Sequence, residues 1–150
     1  MQVRIFAGGL LALVVVVLGL AQSKTWAAED EDLQADLRQL QGKWEYTFKD
    51  NQGNVIVRKV KEIKDETETV TWHLPSGKVY QVNWVDFKLE RKGKDRILTY
   101  SNWKYLEGPD KGKEVPGKIG SFAYRIEGDT WMTLETGIGE IPWQRVKEGK

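Results

Sequence analysis

The 150-residue chain carries 23 Lys+Arg against 22 Asp+Glu, is 40% hydrophobic and 30% charged, and contains 15 Gly, 4 Pro and no Cys. Such a balance excludes a disordered tail, a collagen-like fibre and a polytopic membrane protein. A net charge of +1 lacks the basic excess that marks a nucleic-acid binder, so no nucleic-acid partner is expected.

The first segment is an export signal by its layout. Arg4 precedes an uncharged apolar run from Ile5 to Leu20, and small or polar residues follow. Ala21 and Ser23 would allow cleavage after Ser23, and Thr25 and Ala27 would allow it after Ala27; the second site is preferred. The expected division is therefore a signal peptide over 1–27 and one domain over 28–150, placed in the periplasm or outside the cell. An uncleaved anchor is the alternative, because the run approaches the roughly 18 to 20 residues that span a bilayer; after cleavage no membrane insertion is expected. An exported domain without cysteine must be held by its core alone. Removing Arg4 and Lys24 leaves 23 − 2 = 21 basic against 22 acidic residues, a charge of −1, so bulk charge does not choose the partner.

From Asp30 to Leu40, Leu33, Leu37 and Leu40 recur at helical spacing, with acids in the first turn and Gly42 just past the end. The spacing predicts a short helix whose single apolar stripe lies on a mouth or flank of the sheet that follows.

Beyond Lys43 the period changes to alternation, with turn residues at the spacing of an all-β domain. Trp44, Tyr46 and Phe48 mark a first strand ending at Asp50-Asn51-Gln52-Gly53. A second, over about 54–64, shifts phase between Val57 and Val60, which predicts a bulge or bend near Arg58. Val70, Trp72 and Leu74 mark a third; Tyr80, Val82 and Trp84 a fourth; Phe87 and Leu89 a fifth. In the sixth, Ile97, Thr99, Ser101 and Trp103 share one face and Leu98 and Tyr100 the other. Residues Gly108 to Lys118, rich in Gly and Pro, read as the longest loop. Phe122, Tyr124 and Ile126 follow, then a tight hairpin at Glu127-Gly128-Asp129-Thr130, and 131–135 with 143–147 close the sheet.

Sequential antiparallel strands on short hairpins favour a single up-and-down barrel of about eight strands, since closure removes exposed edges. A two-sheet sandwich is the structural alternative. Leu40-Gln41-Gly42-Lys43-Trp44 resembles the Gly-X-Trp entry of lipocalin-like barrels. The resemblance implies that Trp44 closes the barrel bottom while a basic residue of the last strand, here Arg145, packs across it. More closely, the run Asp36 to Trp44 together with Tyr124-Arg125-Ile126-Glu127-Gly128-Asp129-Thr130 resembles an uncharacterised exported lipocalin-like family abundant in planctomycetes. That likeness extends from about Leu33 to Lys147. Gly42, Trp44 and Arg145 are its structural signature in this chain. The chain is short for a full lipocalin and has no Thr-Asp-Tyr motif in its middle.

No catalytic constellation stands out. His73 is the only histidine and no cysteine accompanies it, so no metal site of ordinary type is expected. Asp65, Glu66 and Glu68 read as a solvated charged strand start. Ser76-Gly77-Lys78 lacks the glycine-rich stretch of a phosphate loop. The expectation is a non-enzymatic barrel without a cofactor. Trp44, Tyr46, Phe48, Trp72, Tyr80, Trp84, Phe122 and Tyr124 would share the interior face if the alternation holds. A packed core is one reading of that set; a pocket for a small apolar or aromatic ligand, walled by Trp72, Tyr80, Trp84 and Tyr124, is the other. The alternative function is binding a protein partner, or inhibiting a hydrolase, through the 108–118 loop or outer aromatics.

Overall fold

The computed structural model describes residues 30–135 and 137–147; the expected signal peptide over 1–27 lies outside the described residues. A helix, α1 (30–40), precedes eight strands: β1 (Gly42–Lys49), β2 (Val55–Lys64), β3 (Thr67–His73), β4 (Val79–Lys92), β5 (Asp95–Glu107), β6 (Glu114–Glu127), β7 (Thr130–Glu135) and β8 (Gly139–Arg145). Each strand pairs antiparallel with the next, and β8 returns to β1, giving a closed up-and-down barrel. Barrels of this strand number are just wide enough to be filled by side chains or to hold one small ligand.

One end is sealed by α1. Leu40 and Trp44 are fully buried, and Leu37 packs against the same core. The Trp44 indole N–H donates to Leu40 O at 2.7 Å, satisfying one of the carbonyls that a helix end leaves free. Arg145, directly across β1 from Trp44, lays its guanidinium 4.2 Å from that ring centroid and donates to the Gln41 and Gln39 carbonyls. A planar fork serves the two carbonyls and the indole face at once, as a lysine could not. On the other flank Asp36, 3% exposed, accepts from Arg96 at 2.8 Å and from the Tyr124 hydroxyl at 2.8 Å, and Asp32 pairs with Arg91. Tyr124 is therefore a strut beneath the helix. Burial, with the Asp36 bond second, holds its phenol well above the ordinary tyrosine range.

Several strand-level expectations are corrected. The expected fourth and fifth strands are one continuous β4, in which Asp86 pairs with Thr67 of β3 and, past a register shift after Trp84, with Ser101 of β5. The inward series on β4 is Asn83, Val85 and Phe87, all buried, so Trp84 faces outward across from Thr69 and Lys104. No bulge occurs at Arg58: β1 and β2 pair without a break from Gly42↔Ile63 to Phe48↔Val57, and the shift comes at Lys49. The inward positions of β2 are Val57, Lys59, Lys61 and Ile63, and the two lysines disguise the alternation. The expected 108–118 loop shortens to 108–113, since β6 begins at Glu114. On β5, Leu98 and Tyr100 point into the core and Trp103 joins them rather than opposing them. The cause is a bulge at Asn102, whose φ of 55° lies in the left-handed region that Asn tolerates better than most residues.

Candidate functional site

Away from α1 the barrel is built differently. The turns beside the helix are polar, at Lys64-Asp65-Glu66, Lys92-Gly93-Lys94 and Glu127-Gly128-Asp129. Around the opposite end the chain exposes apolar side chains next to every hairpin: Ile56 (54%), Leu74, Val79, Leu106 and Ile138 (59%). Just inside this rim Tyr46, Phe48, Trp72 and Trp103 face inward yet remain only partly buried. Tyr46 and Phe48 meet edge to face at 4.6 Å, and Trp103 lies 6.2 Å from Tyr105. Partly buried rings beneath an apolar rim set this end, here termed the mouth, apart from the end sealed by α1.

Two charged layers lie below. Lys59 sits on the inward face of β2, paired with Tyr46 on one side and Trp72 on the other. Its ammonium lies 3.8 Å from the Trp72 ring centroid and 4.6 Å from that of Phe48, and among the described residues it makes no ion pair. Burial lowers its pKa, because the charged form loses water; the nearby Glu135 carboxylate opposes that effect, and Lys61 adds to it. One step deeper, Lys61 is 4% exposed and fully engaged. It lies 3.2 Å from Glu68 and 3.0 Å from the Tyr100 hydroxyl, with the Trp143 and Trp131 rings 4.2 and 4.6 Å away. Tyr100 donates to Glu68 at 2.7 Å, closing a triangle. Burial first, and Glu68 second, push the Tyr100 phenol well above its usual range. This triangle floors the mouth.

Three polar groups around the mouth are left over. Asn83, fully buried, accepts from Gln81 at 2.9 Å through its carbonyl, while its amide Nδ2 has no partner. The indole N–H groups of Trp72 and Trp103 are also buried without a partner. Buried donors of this kind cost free energy unless something accepts from them.

Of the four expected pocket-wall residues, only Trp72 lines this mouth. Tyr80 is 45% exposed where β4 begins, Trp84 faces outward, and Tyr124 supports the helix at the far end. Trp84 instead borders a groove of about 230 Å³, shared with Asp86, Asn102, Lys104, Glu114 and an edge of Trp103. His73 ends β3, its Nδ1 3.4 Å from Gly77 O. Among the described residues no cluster of three or more His, Asp or Glu side chains is placed to hold a metal. Glu68, expected on a solvated strand start, is instead 1% exposed and paired with Lys61 inside the barrel, and the inward Lys59, Lys61, Gln81 and Asn83 were not expected there. The available signal was parity: Lys59 and Lys61 stand two and four residues from Val57, and Gln81 and Asn83 precede Val85 and Phe87 at the same spacing.

No protein-family model, curated protein or solved structure matches this chain. Function is therefore read from the barrel itself.

Proposed function

We propose that the protein is a non-enzymatic binder of a small apolar or aromatic molecule, which enters the barrel at the end opposite α1. The observation that carries this reading is the asymmetry of the two ends: a sealed, polar end under the helix, and an apolar rim above half-buried rings. Rings left partly wet gain by covering, about 25 cal/mol per Å² of apolar surface removed from water. Lipocalin-like resemblance at the Gly42-Lys43-Trp44 entry supports the same reading, as does the export signal expected over 1–27, which would place the binder in the envelope or outside it.

The test is titration of the purified protein with the neutral dye N-phenyl-1-naphthylamine, following energy transfer from tryptophan. Saturable one-to-one transfer is expected in the wild-type protein. Trp72→Ala should weaken dye binding about tenfold, the scale on which one buried aromatic contact acts, and outward Trp84→Ala should leave it unchanged. Equal effects of the two substitutions would sink the proposal. The groove beside Trp84 favours a second reading, docking of a protein partner on the β4–β6 face; Trp84→Ala would then abolish partner binding without moving dye affinity.

A further inference from the structure

The mouth has an excess of donors. Beside Lys59, with its three N–H groups and no ion pair among the described residues, stands Trp72, whose indole N–H has no partner, and two strands along the same inner surface lies the unpartnered Asn83 amide. These residues are linked across the sheet: Lys59 pairs with Trp72, Trp72 with Gln81, and Gln81 bonds Asn83. Gln81 donates to the Asn83 carbonyl, and the Asn83 amide is left as an unpartnered buried donor. Among the described residues the carboxylate acting on Lys59 besides the engaged Glu68 is Glu135, which lies beyond ion-pair distance and accepts from Thr133 at 3.4 Å.

A cation and buried N–H groups held among rings call for an acceptor carrying negative charge and attached to an apolar body. We infer that the ligand of this mouth is a small apolar or aromatic carboxylic acid, its carboxylate taken by Lys59 and its body laid against Phe48 and Trp72. A carboxylate suits the site because it is acceptor-only, with two oxygens and about four lone-pair directions. Its bonds to an ammonium and to N–H donors are charge-assisted, roughly twice as strong as neutral ones. The contrast with Lys61 is instructive. That lysine faces the same interior but is answered by Glu68 and Tyr100, so the chain supplies a counter-charge at one inward lysine and leaves the other open towards the mouth.

The inference rests on the mouth being a binding site, and the test separates the two. The bound N-phenyl-1-naphthylamine is displaced with 2-naphthoate and, in parallel, with 2-naphthamide, which has the same body without the charge. In the wild-type protein 2-naphthoate should bind ~10- to 100-fold more tightly, the range for a desolvated charge-assisted contact. Lys59→Met should bring that ratio to about one, both competitors being compared against the variant's own dye affinity, and Lys59→Arg should keep most of it. Glu135→Gln, by removing the competing carboxylate, should raise naphthoate affinity severalfold. If naphthoate and naphthamide bind alike to wild type, the carboxylate inference is wrong and the apolar mouth stands. If the ratio survives in Lys59→Met, Lys59 is not the anchor and the inference is equally overturned. If the neutral dye itself does not bind, the mouth reading falls and takes this one with it.

Discussion

At the scale of single residues, the costliest object in the barrel is the Lys61–Glu68–Tyr100 triangle. Removing two charges from water is unfavourable by several kcal/mol per ion, and mutual attraction repays it only when the remaining lone pairs and protons are engaged. Here they are: Glu68 receives Lys61 and Tyr100 on separate oxygens, and the ammonium's remaining face meets indole rings. Breaking the triangle at one corner should therefore cost far more than removing it whole. Lys61→Met leaves Glu68 charged and buried at 1% exposure, and is expected to lose about 3–5 kcal/mol in urea unfolding. The triple change Lys61→Met, Glu68→Leu, Tyr100→Phe keeps similar volume and should lie within about 2 kcal/mol of wild type. A triple variant as unstable as the single one would show that the triangle contributes net stability.

At the scale of elements, β5 is where local conformation decides which side chains reach the mouth. Asn102 holds a left-handed backbone, and its side chain donates to Asp86 at 2.8 Å and accepts from the Gly117 N–H at 3.0 Å. The extra residue flips the parity of everything after it, which turns Trp103 and Tyr105 to the inside. Asn102→Ala should destabilise by about 2 kcal/mol, combining left-handed strain with the lost bonds. Asn102→Gly, free of the strain, should recover about half of that in the same thermal denaturation series. The bulge also marks the limit of legibility. Helix α1 and the antiparallel hairpin order were readable, because periodicity and turn residues are local signals. Facing was readable only while hydrophobicity and direction agreed, as at Trp44, Tyr46, Phe48 and Trp72. On β4 the most aromatic parity, Tyr80 and Trp84, is the outer one, while polar Gln81 and Asn83 occupy the inner; on β2 two lysines do the same. The inward Lys61 is satisfied by Glu68 and Tyr100 from other strands, and no single-strand pattern encodes those partners. The candidate site was thus legible at Tyr46, Phe48 and Trp72, misread at Tyr80, Trp84, Trp103 and Tyr124, and hidden in its charges.

At the scale of the molecule, the barrel is a ribbon of hairpins closed by one seam. Neighbouring strands such as β4 and β5 share ladders from Val82↔Glu107 to Lys92↔Asp95, whereas β1 and β8 are joined through Trp44↔Arg145 and Glu45↔Gln144, with Val146 N–H donating to Lys43 O at 2.9 Å. The seam also joins residues about 100 positions apart, so its loop-closure entropy is the largest of any pairing in the sheet, while the hairpins close on short turns. What compensates is side-chain packing across the seam: Arg145 on Trp44, and Trp44 in turn 5.8 Å from Trp131. Opening should therefore begin at the seam, as a sub-global event below the free energy of full unfolding. Native-state hydrogen exchange is expected to show the amides of Glu45 and Val146, the latter donating across the seam to Lys43 O, protected less than those of Leu89 and Leu98 in the β4–β5 hairpin. Arg145→Ala should lower protection at the seam first, while exchange at Leu89 and Leu98 keeps its wild-type rate under sub-global conditions. Uniform protection around the barrel, or a loss spread equally over all strands in Arg145→Ala, would mean that the sheet opens only as one unit and that the stacked guanidinium is not its latch.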